Sequence, residues 1–316
     1  MTKSKATAAK KTATQKLATP KTYSLTGSLV KSQEKSLVKF KWSYLLLSSL
    51  LTSMVACSPK SSQSNSNDQS TLQTDENNAG IVNGVVVKNA DPIAKSTVGL
   101  KLRIQGGVAT CTGTLISPKV ILTAAHCIVD ARAGNAVFNA AIKNAPKTRI
   151  RPVVQVLVHP NYNPDADKNS NDLALVKIGG QVPVGAAPID YLKDKAQLKD
   201  GMLATLAGFG ATNMVWGQSV GSDFLRQATV VLSDSKFSDD EVLFQQYKGS
   251  GACHGDSGGP AYTKDLSGHL VVFGITSRSA TLEGGSTCLE GSVYTNTAAY
   301  NDFIAKGVAS LEASAL

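Results

Sequence analysis

The chain has 316 residues, of which 42% are hydrophobic and 17% are charged, and this composition excludes a disordered chain and is typical of a protein with a sizeable core. The formal net charge is +9, but residues 1–56 carry ten Lys and one Glu, whereas the remainder carries 22 basic and 22 acidic side chains. The folded part therefore has no excess positive charge, and we expect no nucleic-acid partner.

The basic N-terminal region is followed by an uncharged apolar stretch, Trp42–Pro59. The fifteen residues before Cys57 are too few to span a bilayer as a helix, but they suit the apolar core of a secretory signal. Their end, MVAC, resembles a bacterial lipoprotein signal, in which the cysteine is acylated and becomes the new N-terminus. We therefore interpret residues 1–56 as an export segment and Cys57 as a lipidation site. The alternative is an ordinary signal peptide with an incidental cysteine.

Residues 57–80 are rich in Ser, Asn, Gln and Asp and nearly free of large apolar side chains. Such a segment cannot bury enough surface to order itself, so we predict a flexible tether or propeptide. Folded structure is expected to begin near Ile81. The protein is accordingly predicted to be exported, and then lipid-anchored to the cell envelope, secreted, or both.

The remaining chain consists of short apolar, β-branched runs that are separated by turn residues. They lie at 98–104, 120–125, 152–159, 172–178, 203–210, 228–233, 269–277 and 292–295. The only helical period is found near the end, at 298–308. This pattern predicts an all-β body closed by one C-terminal α-helix.

The cysteine count points to disulfides. With Cys57 lipidated, four cysteines are left, an even number in an exported protein, so two disulfides are expected. Spacing alone leaves all three pairings open. A metal site is the competing interpretation, but no CxxC pair or HxxxH motif occurs, so we expect neither a metal nor another cofactor.

Five short motifs resemble one known family. In chain order they are IVNG at 81–84, TAAHC at 123–127, NDLALVKI at 171–178, GDSGGP at 255–260 and GSVYT at 291–295. Together they resemble the trypsin and chymotrypsin family of serine peptidases over residues 81–316. The resemblance implies two six-stranded antiparallel β-barrels with the active site between them, a monomer, and protein or peptide substrates.

The resemblance also implies a catalytic triad. A serine hydroxyl is a weak nucleophile at neutral pH, so Ser257 needs a base, and the matching imidazole is that of His126. Asp172 is the matching carboxylate, which holds the imidazole in the tautomer that presents a lone pair to the serine. The backbone N–H groups of Gly255 and Ser257 match the oxyanion hole, and a hydrogen bond from Ser277 to the aspartate is implied as well.

The same resemblance selects the disulfide pairs Cys111–Cys127 and Cys253–Cys288. It also places Gly251 at the floor of the substrate pocket, six residues before the nucleophile, where an acid would favour Lys and Arg.

Gly251 therefore predicts a neutral pocket, with Ser279 and Ser292 at its walls and Ser277 on the strand that pairs with substrate. We expect a small or medium uncharged residue before the scissile bond. Glu283 or Glu290 entering the pocket would instead restore a basic preference.

The IVNG motif implies a zymogen. In the family, cleavage before such a segment frees an α-amino group that pairs with the acid preceding the nucleophile, here Asp256. Ile81 follows Ala79 and Gly80 rather than a basic residue, so a trypsin-like activator does not fit. The hypothesis is that the enzyme's own neutral pocket accepts this site. The alternative is that Ile81 merely opens the first strand.

The leading function is an exported serine endopeptidase. One alternative is a catalytically idle family relative that acts as a surface binding protein. Another is an esterase that uses the same triad.

Overall fold

The computed structural model describes residues 22–24, 81–211, 213–215, 218–220, 223–246, 249–280, 288 and 290–314. The predicted tether at 57–80, the lipidation site Cys57 and Glu283 lie outside these residues. Within the described part of the chain, no helix has the length and apolar character needed to cross a membrane.

Sixteen β-strands and one α-helix make up the described fold, together with short 3-10 turns. The strands are β1 Thr22–Ser24, β2 Val85–Val86, β3 Thr97–Ile104, β4 Gly107–Leu115, β5 Val120–Thr123, β6 Ala133–Val137, β7 Ile150–Val158, β8 Ala174–Ile178, β9 Leu203–Gly208, β10 Asn213–Val215, β11 Gln218–Val220, β12 Arg226–Val231, β13 Glu241–Gln245, β14 Pro260–Lys264, β15 Leu270–Ser279 and β16 Gly291–Asn296. The helix, α1, spans Asn301–Ala313.

The first sheet is a closed barrel. Its strand order is β1-β7-β6-β3-β4-β5-β8, and the additional pairing of β7 with β8 closes six antiparallel strands. β1, which belongs to the predicted export segment, lies beside the C-terminal half of β7. Apolar side chains such as Leu100, Leu122 and Val176 fill the interior and are fully buried. Burial on this scale is the main favourable contribution to folding.

The second sheet has the order β13-β16-β15-β14-β9-β12-β2. The segment after β12 returns to β13 at the other edge of the sheet, where Asp234 forms an antiparallel bridge with Leu243. Phe244, Phe273 and Tyr294 form the centre of its core, with edge-on or tilted ring contacts. The predicted all-β fold with a C-terminal helix is thus confirmed, with one closed six-stranded barrel and a second sheet of seven strands. β10 and β11 form a separate two-stranded antiparallel sheet.

The C-terminal helix packs on the first barrel through Ile304, Gly307 and Leu311, which are spaced along one helical face. A Cβ at residue 307 would lie 2.4 Å from Leu175, so glycine permits this close approach. At the helix end, the buried Lys177 ammonium donates to the Ser314 carbonyl at 2.6 Å. A cation at this end also complements the helix dipole.

The first barrel and the second sheet are joined by buried hydrogen bonds. The Tyr262 hydroxyl in β14 lies 2.9 Å from Ser96 Oγ and 3.0 Å from Thr97 Oγ1 at the start of β3. Nearby, the Thr112 N–H in β4 donates to the Ser257 carbonyl at 2.8 Å. This junction brings the three motifs of the predicted triad into one region.

Candidate active site

His126 forms two hydrogen bonds with one carboxylate, one from its imidazole and one from its backbone. Its Nδ1 lies 2.7 Å from Asp172 Oδ2, and its backbone N–H donates to Asp172 Oδ1 at 3.0 Å. His126 follows the end of β5, where Ala124 and Ala125 are fully buried and anchor the turn. Because the Asp172 carboxylate accepts a hydrogen bond from Nδ1, the neutral imidazole carries its proton on Nδ1. Its Nε2 therefore keeps a lone pair.

Asp172 is a buried carboxylate, 3% exposed, with a full set of donors. Ser277 Oγ in β15 donates to its Oδ2 at 2.7 Å, in addition to the two bonds from His126. Burial by itself raises the pKa of Asp172, but the hydrogen bonds and charge of His126 and the bond from Ser277 outweigh it, so the pKa lies below its ordinary value. The carboxylate is therefore ionised at neutral pH.

Ser257 lies on the glycine-rich turn that precedes β14. The Cys127 sulfur lies 3.7 Å from His126 Nε2 and 3.6 Å from the Ser257 carbonyl oxygen, so the imidazole and the serine flank the same atom. Among the described residues, none forms a hydrogen bond with the Ser257 hydroxyl. The structure thus brings residues 126, 172 and 257 to one site.

The backbone around Ser257 presents two unpaired donors. No described residue accepts a hydrogen bond from the N–H of Gly255 or from that of Ser257. Gly255 has a φ of 98°, and a Cβ there would lie 2.9 Å from Gly210 Cα. Only glycine adopts this conformation without strain. Two free backbone N–H groups on one turn are the donors that stabilisation of an oxyanion requires.

Thr112 supports this turn and was not singled out from the sequence. Its hydroxyl donates to the Gly255 carbonyl at 2.9 Å and accepts from the Phe209 N–H at 3.1 Å. The bond to the carbonyl fixes the peptide that follows Gly255. A threonine beside Cys111 in a strand carries no local sign of this role, because its partners come from two distant segments.

Both predicted disulfides are present, Cys111–Cys127 and Cys253–Cys288. The first ties β4 to the turn that carries His126. The sulfur atoms of this bridge lie close enough to the imidazole to resemble a three-ligand metal cluster. Their bond to each other leaves no thiolate to bind a metal.

A cavity of about 170 Å³ opens beside Ser257. Three of the four predicted pocket residues line it, Ser277, Ser279 and Ser292, together with Ala252 and Arg278 among others. Gly251 lies next to this lining and forms a backbone bridge with Val82. Among the described residues that line the cavity, none is acidic.

Asp256 is fully buried under the turn. Burial raises its pKa to about 7, although backbone N–H groups of Cys253, Gly210 and Ile81 donate to the carboxylate and oppose the rise. The bonds from Gly210 and Cys253 measure 2.8 and 2.9 Å. Ile81 is buried with its backbone nitrogen at the same carboxylate, so the structure brings together the two residues of the predicted switch.

The family model described as Trypsin matches residues 85–304. The chain belongs to the trypsin family. It is accordingly a serine endopeptidase by family, with protein or peptide substrates.

Individual members of the trypsin family align with most of the described body. The chain is 30% identical to the trypsin of Saccharopolyspora erythraea over 63% of its own length and 86% of that protein. It is 31% identical to human kallikrein-8 over 65% of its own length and 80% of that protein. It is 28% identical to the chymotrypsin of Phaedon cochleariae over 52% of its own length, and spans 63% of that protein. The solved structure of HL collagenase has the same fold, with a TM-score of 0.61 and 23% identity over 72% of this chain and 99% of that one.

This trypsin-family site contains an ion pair that the sequence did not predict. Arg278 Nη1 lies 2.5 Å from Glu241 Oε1, and Arg278 also donates to the Asp167 carbonyl. Glu241 accepts from the Asn169 N–H at 3.0 Å, three residues before Asp172. Burial raises the pKa of Glu241, but the hydrogen bonds and charge of Arg278, together with hydrogen bonds from Asn169 and Ser170, outweigh it, so the pKa lies below its ordinary value. The pair therefore braces the segment that leads to Asp172.

Proposed function

We propose that this enzyme hydrolyses peptide bonds by nucleophilic attack of Ser257, with His126 as the base and Asp172 as its orienting carboxylate. The observation that carries the proposal is the 2.7 Å contact between His126 Nδ1 and the buried Asp172. It leaves Nε2 of the neutral imidazole free to accept a proton.

The reaction follows from these roles. Ser257 Oγ attacks the substrate carbonyl while its proton passes to His126 Nε2, and the resulting oxyanion accepts hydrogen bonds from the N–H groups of Gly255 and Ser257. The imidazolium then gives its proton to the leaving amine as the C–N bond breaks, which leaves an acyl-enzyme. Water, deprotonated by the same imidazole, hydrolyses the ester and restores the serine. This sequence is the one established for the triad of this family.

Ser257→Ala tests the proposal directly. The mature wild-type protein should react with a fluorophosphonate probe and digest casein, and the variant should do neither, because the nucleophile is gone. A wild-type protein that the probe does not label would favour the idle binding protein. Labelling with turnover of small esters but none of casein would favour the esterase.

The proposal includes activation by cleavage between Gly80 and Ile81. No described residue that lines the cavity is acidic, so the cavity does not require a basic residue before the cleaved bond, and this supports self-cleavage after Ala79-Gly80. Export with a lipid on Cys57 is proposed from the sequence alone. N-terminal sequencing and mass analysis of the same two proteins check these steps. Wild type should begin at Ile81, and Ser257→Ala should keep its uncut chain beginning at a lipidated Cys57. Ser257→Ala protein that matures at Ile81 in isolation would contradict self-cleavage.

Asp256 predicts how the stability of the uncut chain depends on pH. Its pKa rises from 3.8 to about 7 in the folded protein, so its protonated form is the one that folding favours. The contribution of Asp256 to the free energy of unfolding should therefore be largest below pH 3.8 and fall as the pH rises through about 7. Denaturant titration of uncut Ser257→Ala protein across this range measures the fall.

The matched control is uncut Ser257→Ala/Asp256→Asn, in which this fall should be absent. Cleavage before Ile81 should remove it as well, because a free ammonium then pairs with the carboxylate. Identical pH profiles for the two uncut proteins would contradict the assigned role of Asp256.

A further inference from the structure

The space at Gly251 is filled by another residue. A Cβ built on Gly251 would lie 1.5 Å from Nε2 of Gln246, 2.1 Å from its Cδ and 2.4 Å from its Cγ. The amide of Gln246 therefore occupies the volume that a side chain at residue 251 would need. Residue 251 is the position that the family resemblance assigns to the pocket floor.

The Gln246 amide is fixed against the wall of the cavity. Its backbone N–H donates to the Glu290 carbonyl at 3.1 Å, and its side-chain Nε2 donates to the Ala252 carbonyl, also at 3.1 Å. Ala252 lines the cavity beside Ser257. The Ala252 carbonyl accepts hydrogen bonds only, so the amide nitrogen of Gln246 must face it. This orientation leaves Oε1 without a hydrogen bond to Ala252.

Two buried side-chain oxygens near this wall have no hydrogen-bond partner among the described residues, Oε1 of Gln246 and Oγ of Ser292. Both side chains are almost fully buried, at 2% and 3% exposed. Ser292 lines the cavity and pairs in register with Phe244, two residues before Gln246. A buried polar atom without a partner costs free energy, and a hydrogen-bonding group that reaches it recovers that cost.

We infer that Gln246, rather than residue 251, forms the base of the substrate pocket and makes it select uncharged side chains of medium size that carry an amide or hydroxyl. This inference rests on the proposed function. The carbonyl of Gln246 accepts a hydrogen bond, and the Ser292 hydroxyl can donate or accept one. An ammonium or guanidinium that enters would be desolvated without a carboxylate among the described lining residues.

Two matched substrates test the selection. Asn and Leu have nearly the same shape, so peptides that differ only in Asn or Leu before the scissile bond isolate the hydrogen bond. Wild type should cleave the Asn peptide with a kcat/KM about tenfold higher, and Gln246→Met should abolish that preference while keeping Leu cleavage. Wild type that prefers Leu would overturn the inference.

Gln246→Glu should introduce a preference for Lys, and the same change at the neighbouring residue is its control. A carboxylate at the pocket base should raise the kcat/KM ratio for Lys over Asn peptides at least about tenfold. The same change at the exposed neighbour, Gln245→Glu, should leave the ratio unchanged.

Each variant is first quantified by fluorophosphonate labelling. Labelled Gln246→Glu with an unchanged Lys preference would refute the role of Gln246 and leave the proposed function standing. Unlabelled wild type would instead reject the proposed function. Should Gln246→Glu fail to fold, the Gln246→Met result decides alone.

Discussion

Asp172→Asn is expected to lower kcat by about 10⁴-fold at neutral pH, the size of loss known for the corresponding change in this family's triad. In the structure, Asp172 Oδ2 accepts hydrogen bonds from His126 Nδ1 and from the Ser277 hydroxyl, each at 2.7 Å. An amide nitrogen at this position cannot accept the imidazole N–H. The ring then adopts the other tautomer, with its proton on Nε2, and has no lone pair for Ser257.

The measurement is kcat on a peptide substrate, normalised to protein that has been shown to be folded. Ser277→Ala is the graded comparison, because it removes one donor to Asp172 but leaves the acceptor in place. It should reduce kcat far less than Asp172→Asn. A loss of less than about tenfold for Asp172→Asn would mean that the carboxylate does not determine the tautomer of His126.

Gly255→Pro is expected to lower kcat by about 10²–10³-fold or more, because proline has no N–H and one donor to the oxyanion is lost. The backbone conformation adds to the loss. Proline fixes φ near −65°, whereas Gly255 has a φ of 98°, so the turn that carries Ser257 must also move. Steady-state kinetics on one peptide substrate measures the effect.

Gly106→Pro is the matched control. Gly106 has nearly the same φ, 92°, but lies in the turn between β3 and β4, where nothing lies within 4 Å of a Cβ. Both variants should lose stability through the same conflict of backbone angle, which thermal unfolding measures. Only Gly255→Pro should lose kcat in the folded fraction, and equal kcat losses in the two variants would argue against the oxyanion role.

Much of the fold follows from local patterns. The short β-branched runs predicted an all-β body, and the helical period near the end predicted the single helix that spans Asn301–Ala313. Both disulfide pairs implied by the family resemblance are present. The strands and the helix are predictable because strand alternation, turn residues and helical periodicity are properties of neighbouring residues, whereas the disulfide pairs came from the resemblance alone.

The surroundings of the site were not predictable in the same way. Nothing in the sequence indicated the ion pair between Arg278 and Glu241. Thr112 likewise looked like any strand threonine. Their roles depend on which distant segments pack together, and no local pattern encodes the identity of a partner that is tens of residues away.

The sequence by itself determined the candidate residues of the proposed triad, because His126, Asp172 and Ser257 each lie in a short motif whose turns and strands form locally. Only the tertiary structure decided which group fills the space at residue 251. A glycine at residue 251 leaves a volume that several side chains are able to fill, and packing of the end of β13 against residues 251 and 252 assigns that volume to Gln246. Pocket chemistry depends on which atoms share a space, and that is a property of the folded chain.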